Sequence, residues 1–505
     1  MPKKVIDQDL VKVSSSANTS KLLTTLAWGD EIELLGESEK FFEIKTEYYI
    51  DQPDGSFKKV LGRGLIKRTT KLRDPELCDI LKVSFIDVQQ GDGMVLQTPK
   101  NQLVMIDGGD NALFARYMAQ RFVGSSKENP LEIEAIIVTH GDADHFAGLT
   151  EIYKSEKHRI ERKRLFIRPR RIFHNGIVKG PSRKDGKQVP VTKIFGKTQE
   201  FENKLYLVEL HDNLLDIDAD KLNKPFKEWV AAIRAWQKNG RNQDPISIKR
   251  LQYGNDEMFS FLAHEKIEVK VLGPFVKEID GKSVLPVLHE PPKTPPVEMK
   301  EENIDSREHF AINKKYSASH TINGHSIVLQ LKYGNVRFLF SGDLNQEAET
   351  MLQKLASERK IDIQSEIFKV PHHGSADFEP IFLKKVAPVI SIISSGDESA
   401  RKEYIHPRAT LVGSLGKFSR LQTPFVFVTE LVAFFEMVGN AVPVKSKGKP
   451  EQFFAFKRTQ FGIVHIRTDG KRVLVFTHSG RRDMKEAYAL NVGKNGKTNF
   501  EKIRV

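Results

Sequence analysis

The chain has 505 residues, a net charge of +13 and a sequence pI of about 9.3. That length allows about two to four domains with a large core, and the positive balance points to an anionic partner, nucleic acid or another phosphorylated substrate. The single cysteine, Cys78, excludes an internal disulfide framework and excludes Cys₄ or Cys₂His₂ zinc sites. Residues 1–7 hold no apolar signal core, and no run approaches the roughly 18 apolar residues of a bilayer span. A soluble cytoplasmic protein with no membrane partner is expected.

Residues 1–75 read as a small all-β module. Short alternating runs at 11–13, 31–35, 41–46 and 62–66 are separated by turn residues, with Asp54-Gly55 as a hairpin turn. With Gly62-Arg63-Gly64-Leu65-Ile66 near its end, the pattern resembles bacterial SH3-like domains. The resemblance implies a module that binds a protein or peptide partner.

A different pattern begins near Cys78. Residues 80–88, 94–97 and 103–106 read as strands, Gly91-Asp92-Gly93 as a turn, and the third strand ends at Asp107-Gly108-Gly109. A helix over 113–122 follows, then a buried strand built from Ile133, Ala135, Ile136, Ile137 and Val138. This β-β-β-α-β order mixes sheet and helix in one domain. Just past the last strand stands Thr139-His140-Gly141-Asp142-Ala143-Asp144-His145. Two imidazoles and two carboxylates so close together are a dense set of metal-ligand types, and a tight loop aims alternate side chains at one ion or an ion pair. A polar turn with a helix-capping Asp accounts for this poorly, because four ligand-capable groups converge and Gly148 lets the next helix approach closely.

Segment 158–171 is basic, with Arg159, Arg162, Lys163, Arg164, Arg168, Arg170 and Arg171 around Phe166 and Ile167. It reads either as a surface that tracks a phosphate backbone or as a solvated strand edge. Residues 180–187 read as a loop, and 222–238 as an amphipathic helix packing through Phe226, Trp229, Val230, Ile233 and Trp236. Residues 267–272 alternate as a strand, and 286–300, rich in Pro, Glu and Lys, read as a loop or lid insertion. A hairpin at 326–340 turns at Tyr333-Gly334-Asn335 and ends at Ser341-Gly342-Asp343. A helix over 346–357 precedes a strand at 366–370, which ends at Pro371-His372-His373-Gly374-Ser375. The strand at 389–393 leads to Ser394-Ser395-Gly396-Asp397, and His406-Pro407-Arg408 opens a further helix. Strands at 425–429, 462–466 and 473–476, the last two joined at Asp469-Gly470, complete the sheet or form an appendage. The expected division is 1–75, 78–420 with an insertion at about 155–310, and 421–505.

Four strands thus end in polar loops carrying Asp107, His140 to His145, Asp343, and His372 with His373. In layered α/β folds, sites gather beyond strand carboxyl ends. In this order the loops resemble the metallo-β-lactamase superfamily and, more narrowly, the hydrolase domain of DNA-uptake competence (ComEC-type) proteins. Phe85-Ile86-Asp87-Val88-Gln89-Gln90-Gly91-Asp92 is similar to that group's Asp-Val-Gly-Gln-Gly-Asp signature, with Gln89 where Gly is usual. Residues 104–109, 139–148, 338–343 and 369–375 match in order, and His406-Pro407 resembles the group's His-Pro.

The resemblance implies an α/β fold, an αββα sandwich preceded by the small all-β domain, holding one or two divalent metal ions. Zinc comes first, with manganese or magnesium as alternatives. It implies ligands His140, Asp142, Asp144 and His145 from the main loop, and Asp343 bridging two ions. His373 is implied ahead of His372, because Val370-Pro371-His372-His373-Gly374 parallels the superfamily's Val-Pro-Gly-His-Gly. Asp142 stands where most relatives carry His, and its harder oxygen shifts preference toward manganese or magnesium. The superfamily's further His has His320 and His325 as candidates here, against a competence-type Asn-x-x-Ser element matched by Asn323 and Ser326. Asp107 and Asp92 are expected to support the ligands rather than bind.

An activated water as nucleophile follows from such a centre, with Asp144 holding metal and orienting the water or accepting its proton. His406 and Ser375 are placed by the scissile group, although Ser375 reads more readily as a helix cap after Gly374. Arg408, Arg401, Arg168, Arg170 and Arg171 are candidates to dock phosphates. The expected function is a metal-dependent phosphodiesterase or nuclease. The alternatives are hydrolysis of a phosphorylcholine ester, lactone or thioester, and a non-catalytic binding protein, against which the intact ligand set stands.

Overall fold

The computed structural model describes residues 2–16, 21–51, 57–184, 186–238, 244–290, 315–396, 406–430, 434–441, 445–446, 449–450, 453–460, 462–478 and 484–503. Asp54-Gly55, residues 291–300 of the expected lid, Asp397 and Arg401 lie outside them. The chain divides into two compact units, one of residues 88–428 with 494–496, the other of residues 1–87 with 429–493 and 497–505.

The second of these begins with a seven-stranded antiparallel sheet. Its order is Leu22–Ala27, Leu10–Ser14, Phe57–Lys67, Phe41–Asp51, Glu31–Glu37, Lys3–Ile6 and Leu72–Arg73. Alternation puts Val11, Val13, Ile32, Phe42, Ile44 and Ile66 into one core. The C-terminal strands belong to the same unit. Ile463–Thr468 pairs antiparallel with Leu81–Ile86, and Arg472–His478, Met484–Val492 and Thr498–Ile503 extend the meander. Trp28, Ile80, Leu474, Phe476 and Ala487 form a shared cluster. So the last strands join the strand that opens near Cys78. The hairpin at Asp469-Gly470 is present, with Gly470 at φ +87° and Asp469 Oδ1 accepting from the Lys471 and Arg472 amides at 2.8 and 2.7 Å.

The larger unit is built on two large sheets, beside a four-stranded sheet of Thr198–Phe201, Lys204–Leu207, Lys282–Pro286 and Lys277–Ile279 and two short strand pairs. In the first, Ser247–Arg250, Arg171–His174, Ala135–Ile137 and Leu103–Ile106 run parallel, and Met94–Gln97 pairs antiparallel with Leu103–Ile106. The second runs Ile267–Gly273, Val328–Tyr333, Val336–Phe340, Ile367–Lys369, Ile390–Ile393 and Phe425–Val428, parallel from Val336–Phe340 onward. Near-continuous apolar runs such as Ile390–Ile393 suit parallel strands buried on both faces. Helices Gln346–Glu358, Pro380–Val386 and Ala409–Phe418 bury Leu352, Phe382, Leu383, Leu411 and Leu415 against Leu339, Phe368 and Ile393 of the second sheet. Beside the first sheet, helix Ala143–Ser155 packs Phe146 on Phe226 of helix Lys224–Lys238, ring centroids 4.7 Å apart. Trp229 and Trp236 are fully buried, as the helical spacing predicts. Residues 180–187 contain a short hairpin, Arg183–Lys184 with Lys187–Gln188. No helix among the described residues is long and apolar enough to cross a membrane.

Glu349 is a fully buried carboxyl on Gln346–Glu358, accepting from the Glu379 amide. Burial, then the nearby charges of Asp377 and Glu379, push it well above its usual 4.5. A carboxyl raised in the folded state costs stability as pH climbs above the unfolded value, because the folded chain holds a proton that the unfolded chain releases. Glu349→Gln keeps the acceptor and removes the ionisation. It is expected to stabilise the protein at pH 7 by on the order of 1 kcal/mol or more, with the gain vanishing near pH 4.5. Thermal denaturation of both forms across that range is the check; a gain independent of pH would rule the ionisation out as its cause.

Candidate metal centre

All the loops that carry ligand-type residues sit at the carboxyl ends of strands of the larger unit. Asp107 follows Leu103–Ile106, the His140 to His145 loop follows Ala135–Ile137, Asp343 follows Val336–Phe340, and His373 follows Ile367–Lys369. Two glycines permit the crowding. A Cβ on Gly148 would lie 1.9 Å from the Gly108 carbonyl oxygen, and one on Gly91 would lie 1.7 Å from that of Asp144. Any side chain there would push the loops apart.

Three histidines point one ring nitrogen at the same place. Nε2 of His140, His145 and His373 is in each case buried and without a hydrogen-bond partner of good geometry. Asp343 Oδ2 lies 4.0, 3.3 and 3.1 Å from these three atoms. Their other nitrogens are held. His145 Nδ1 is 2.9 Å from Asp107 Oδ2, and His373 Nδ1 is 3.1 Å from the Ser394 carbonyl oxygen. Both partners accept, so each Nδ1 carries a proton, and each Nε2 is the atom that would face an ion once its own proton leaves. His140 Nδ1 has Thr139 Oγ1 at 3.2 Å and Ser326 Oγ at 3.3 Å. Asp144 Oδ2 stands 3.8 Å from His373 Nε2. Orphaned imidazole nitrogens around a buried carboxylate fit a divalent ion: the groups His140/His145/Asp343 and Asp144/His145/His373 each bring their ligand atoms within 4.8 Å of one another.

The electrostatics agree with that geometry. Burial, with His145 beside it, holds His140 well below the usual imidazole range. For His145, burial acts downward but the Asp343 and Asp107 carboxylates prevail and raise it well above 6.5. His373 is likewise raised to about 10, burial being outweighed by Asp343 and Asp92. Asp343 is held well below the carboxylate range, since His373 and His145 outweigh its burial. An ion binding here displaces protons from His145 and His373, so metal and proton compete for the same nitrogens.

Asp107 lies beside the cluster, grouped with Asp92 and His145. It is fully buried and accepts from the Thr139 amide at 2.8 Å and the Thr139 hydroxyl at 2.7 Å, besides holding His145. Asp92 comes closer than expected. It is fully buried, groups with Asp343 and His373 within 4.8 Å, and forms an ion pair with Lys369. Ser326 supplies what a further histidine does not: its hydroxyl accepts from the Asp343 amide at 3.0 Å.

Other expected residues are placed elsewhere. Asp142 forms an ion pair with Lys179 at 2.8 Å and lies in none of the converging groups. His325 Nε2 is bound to the Pro286 carbonyl oxygen at 2.7 Å, and His320 Nδ1 stands 3.5 Å from Asp377. His372 Nε2 is 3.5 Å from the Asn323 amide nitrogen. Of the adjacent pair, then, His373 joins the cluster. Ser375 caps no helix: its hydroxyl accepts from the Asp377 amide at 3.2 Å, and Glu379 caps the next helix. Arg168 and Arg171 are ion-paired with Glu132 and Glu134, and Arg170 lies 3.5 and 3.6 Å from the same two carboxylates. Arg408 is exposed at the start of Ala409–Phe418.

Above the cluster opens a pocket of about 530 Å³, lined by Asp110, Asp142, Asp144, His320, His372 and His406 among others. Burial, then His372, His373 and Arg408, lowers His406 to about 4, so it faces the pocket as a neutral ring. Lys369 and Lys179 escaped the sequence reading. The only signal for Lys369 was a lone charge inside the apolar run Ile367-Phe368-Lys369-Val370.

Substituting Asp343 by Asn removes the anion facing three imidazoles. Asp343→Asn and His145→Ala are expected to lower bound metal at least tenfold, while Arg170→Ala leaves it unchanged. Elemental analysis after dialysis against a weak chelator is the check, with circular dichroism to show that each variant folds. Full metal retention in Asp343→Asn would exclude this centre.

Residues 86–211 match the family model described as Metallo-beta-lactamase superfamily. A search of curated proteins returned no match. The matched span holds Asp92, Asp107 and the whole His140 to His145 loop, while Asp343 and His373 lie beyond it. The chain carries a metallo-β-lactamase superfamily domain over residues 86–211.

Proposed function

We propose that this protein is a metal-dependent hydrolase that cleaves phosphodiesters, nucleic acid among them. The observation that carries the hydrolase reading is the set of three orphaned imidazole nitrogens around Asp343 at the floor of an open pocket. His140, His145, His373, Asp343 and Asp144 would hold the ion. A divalent ion there supplies Lewis acidity and makes hydroxide accessible near neutral pH.

The chain's own groups do the rest. Asp144 stands at the pocket wall with Gln90 Nε2 3.4 Å from its Oδ2, oriented to take a proton from the attacking water. Asp107 and the Ser394 carbonyl lock the rings of His145 and His373, so those side chains need not reorganise during the reaction. His406, as a neutral ring in the pocket, offers a hydrogen bond to the scissile group without adding charge. On the same reading, residues 88–428 are the αββα sandwich of the competence-type hydrolases, and the N-terminal sheet is an SH3-like module for a protein partner.

Support for a phosphodiester comes from the net charge of +13 and the motif resemblance. One observation favours a second reading, an ester with a neutral or cationic leaving group such as a phosphorylcholine ester. Among the described residues, the pocket is lined by Asp110, Asp142 and Asp144 and by no Lys or Arg. The guanidiniums at 168–171 are engaged with Glu132 and Glu134 and line no part of it.

The two readings separate on substrate. Metal-loaded protein is expected to cleave bis-p-nitrophenyl phosphate and single- or double-stranded DNA, to lose at least about 10³-fold in kcat on Asp144→Asn, and to keep its KM within about twofold on Arg170→Ala. Turnover of p-nitrophenyl phosphorylcholine with no cleavage of diesters or DNA would transfer the assignment to the second reading. Inertness toward every ester tested, with metal bound, would end both.

A further inference from the structure

Lys369 is the one charged residue of its strand, and its side chain is wholly inaccessible to solvent. Its ammonium reaches the floor of the metal centre from below. It pairs with Asp92, donates to the Gly342 carbonyl oxygen at 2.9 Å, and stands 3.8 Å from Asp343 Oδ1. The two oxygens of Asp343 are therefore divided: Oδ2 faces the three imidazoles and Oδ1 faces the ammonium. A carboxylate that bridged two ions through both of its oxygens would need the oxygen that Lys369 faces.

The rest of a second ion's ligand set is also engaged elsewhere. Asp142 is bound to Lys179, His325 to the Pro286 carbonyl, and His320 lies beside Asp377. Among the described residues, the other converging groups, Asp92/Asp343/His373 and Asp92/Asp107/His145, share His373, His145 or Asp343 with the first ion and centre on Asp92, which Lys369 pairs. A second dication would sit with an incomplete shell, close to a buried ammonium that repels it.

We infer that Lys369 is a built-in cation standing in for a second metal, so that the centre binds a single divalent ion. The inference rests on the hydrolase reading above and goes beyond it in fixing the number of ions. In this arrangement the ammonium neutralises Asp92, holds Asp343 in a one-oxygen mode toward the histidines, and contributes fixed positive charge that no chelator removes. Lys369 is a positioning residue: it touches the carboxylate that faces the ion, and it has no access to the pocket.

The test counts ions in the full-length protein. After saturation with Zn(II) or Mn(II) and removal of excess, elemental analysis is expected to give one equivalent, and the Mn(II) form an uncoupled six-line electron paramagnetic resonance signal. Two equivalents, or an exchange-coupled multiline signal, overturn the inference while leaving the hydrolase reading intact. No bound metal overturns both. Lys369→Gln frees Asp92 and Asp343 Oδ1 and is expected to admit a second equivalent; a folded Lys369→Gln that stays at one removes Lys369 from the role. Asp92→Asn provides a measurement that does not depend on that variant folding. It is expected to keep one equivalent, and a fall to none would make Asp92 a ligand and overturn the substitution of metal by lysine.

Discussion

The constraint on which the larger unit depends is the burial of carboxylates. Asp92, Asp107 and Asp343 all sit with almost no solvent contact at the ends of strands. An unpaired buried carboxylate is costly enough that the group either takes up a proton or finds a cation. Each finds partners in a different way. Asp107 accepts from the Thr139 amide and hydroxyl and from His145, Asp92 pairs with Lys369, and Asp343 faces three imidazoles. Only the third arrangement turns three ring nitrogens toward one carboxylate without hydrogen bonds of good geometry, and it is the one that an ion would complete by displacing protons.

Backbone geometry supplies the convergence. Parallel strands put their carboxyl ends on one edge, so loops far apart in sequence meet there. The loops must then approach more closely than side chains permit, which accounts for Gly91 against Asp144 and Gly148 against Gly108. Asp107 itself takes a positive φ of +56°, uncommon for a residue with a Cβ, and that turn brings its carboxylate under His145. The strain is tolerated because Thr139 and His145 fix the side chain from three sides.

Much of this was legible before any coordinates. Strand-then-polar-loop spacing marked Asp107, the His140 to His145 loop, Asp343 and the pair His372-His373, because strand periodicity and turn residues are local signals, while the preference for His373 came from the family resemblance. The amphipathic helix over 224–238 and the Asp469-Gly470 hairpin were legible for the same reason. What could not be read was the pairing of charges across distance. Arg168 looks like a free cation in sequence, but register in the parallel pair sets it beside Glu132. Asp142 stands at a ligand position of its motif, and its ion pair with Lys179, from a segment beyond the next helix, has no local signal in the sequence. The C-terminal strands could not be assigned, since a partner as distant as Leu81–Ile86 leaves no local trace.

Those hidden pairings bear on function more than the visible motif does. The motif argues for metal chemistry, and so does the cluster. The overall charge argues for an anionic partner, yet the guanidiniums nearest the motif in sequence are engaged with Glu132 and Glu134, and the described pocket wall is acidic. Net charge acts at long range and on encounter, whereas the pocket acts on the atoms at the scissile bond. On the proposed phosphodiesterase reading, a polyanion drawn in by the net charge would therefore meet Asp110 and Asp144 at the pocket wall, where Asp142 is already paired with Lys179.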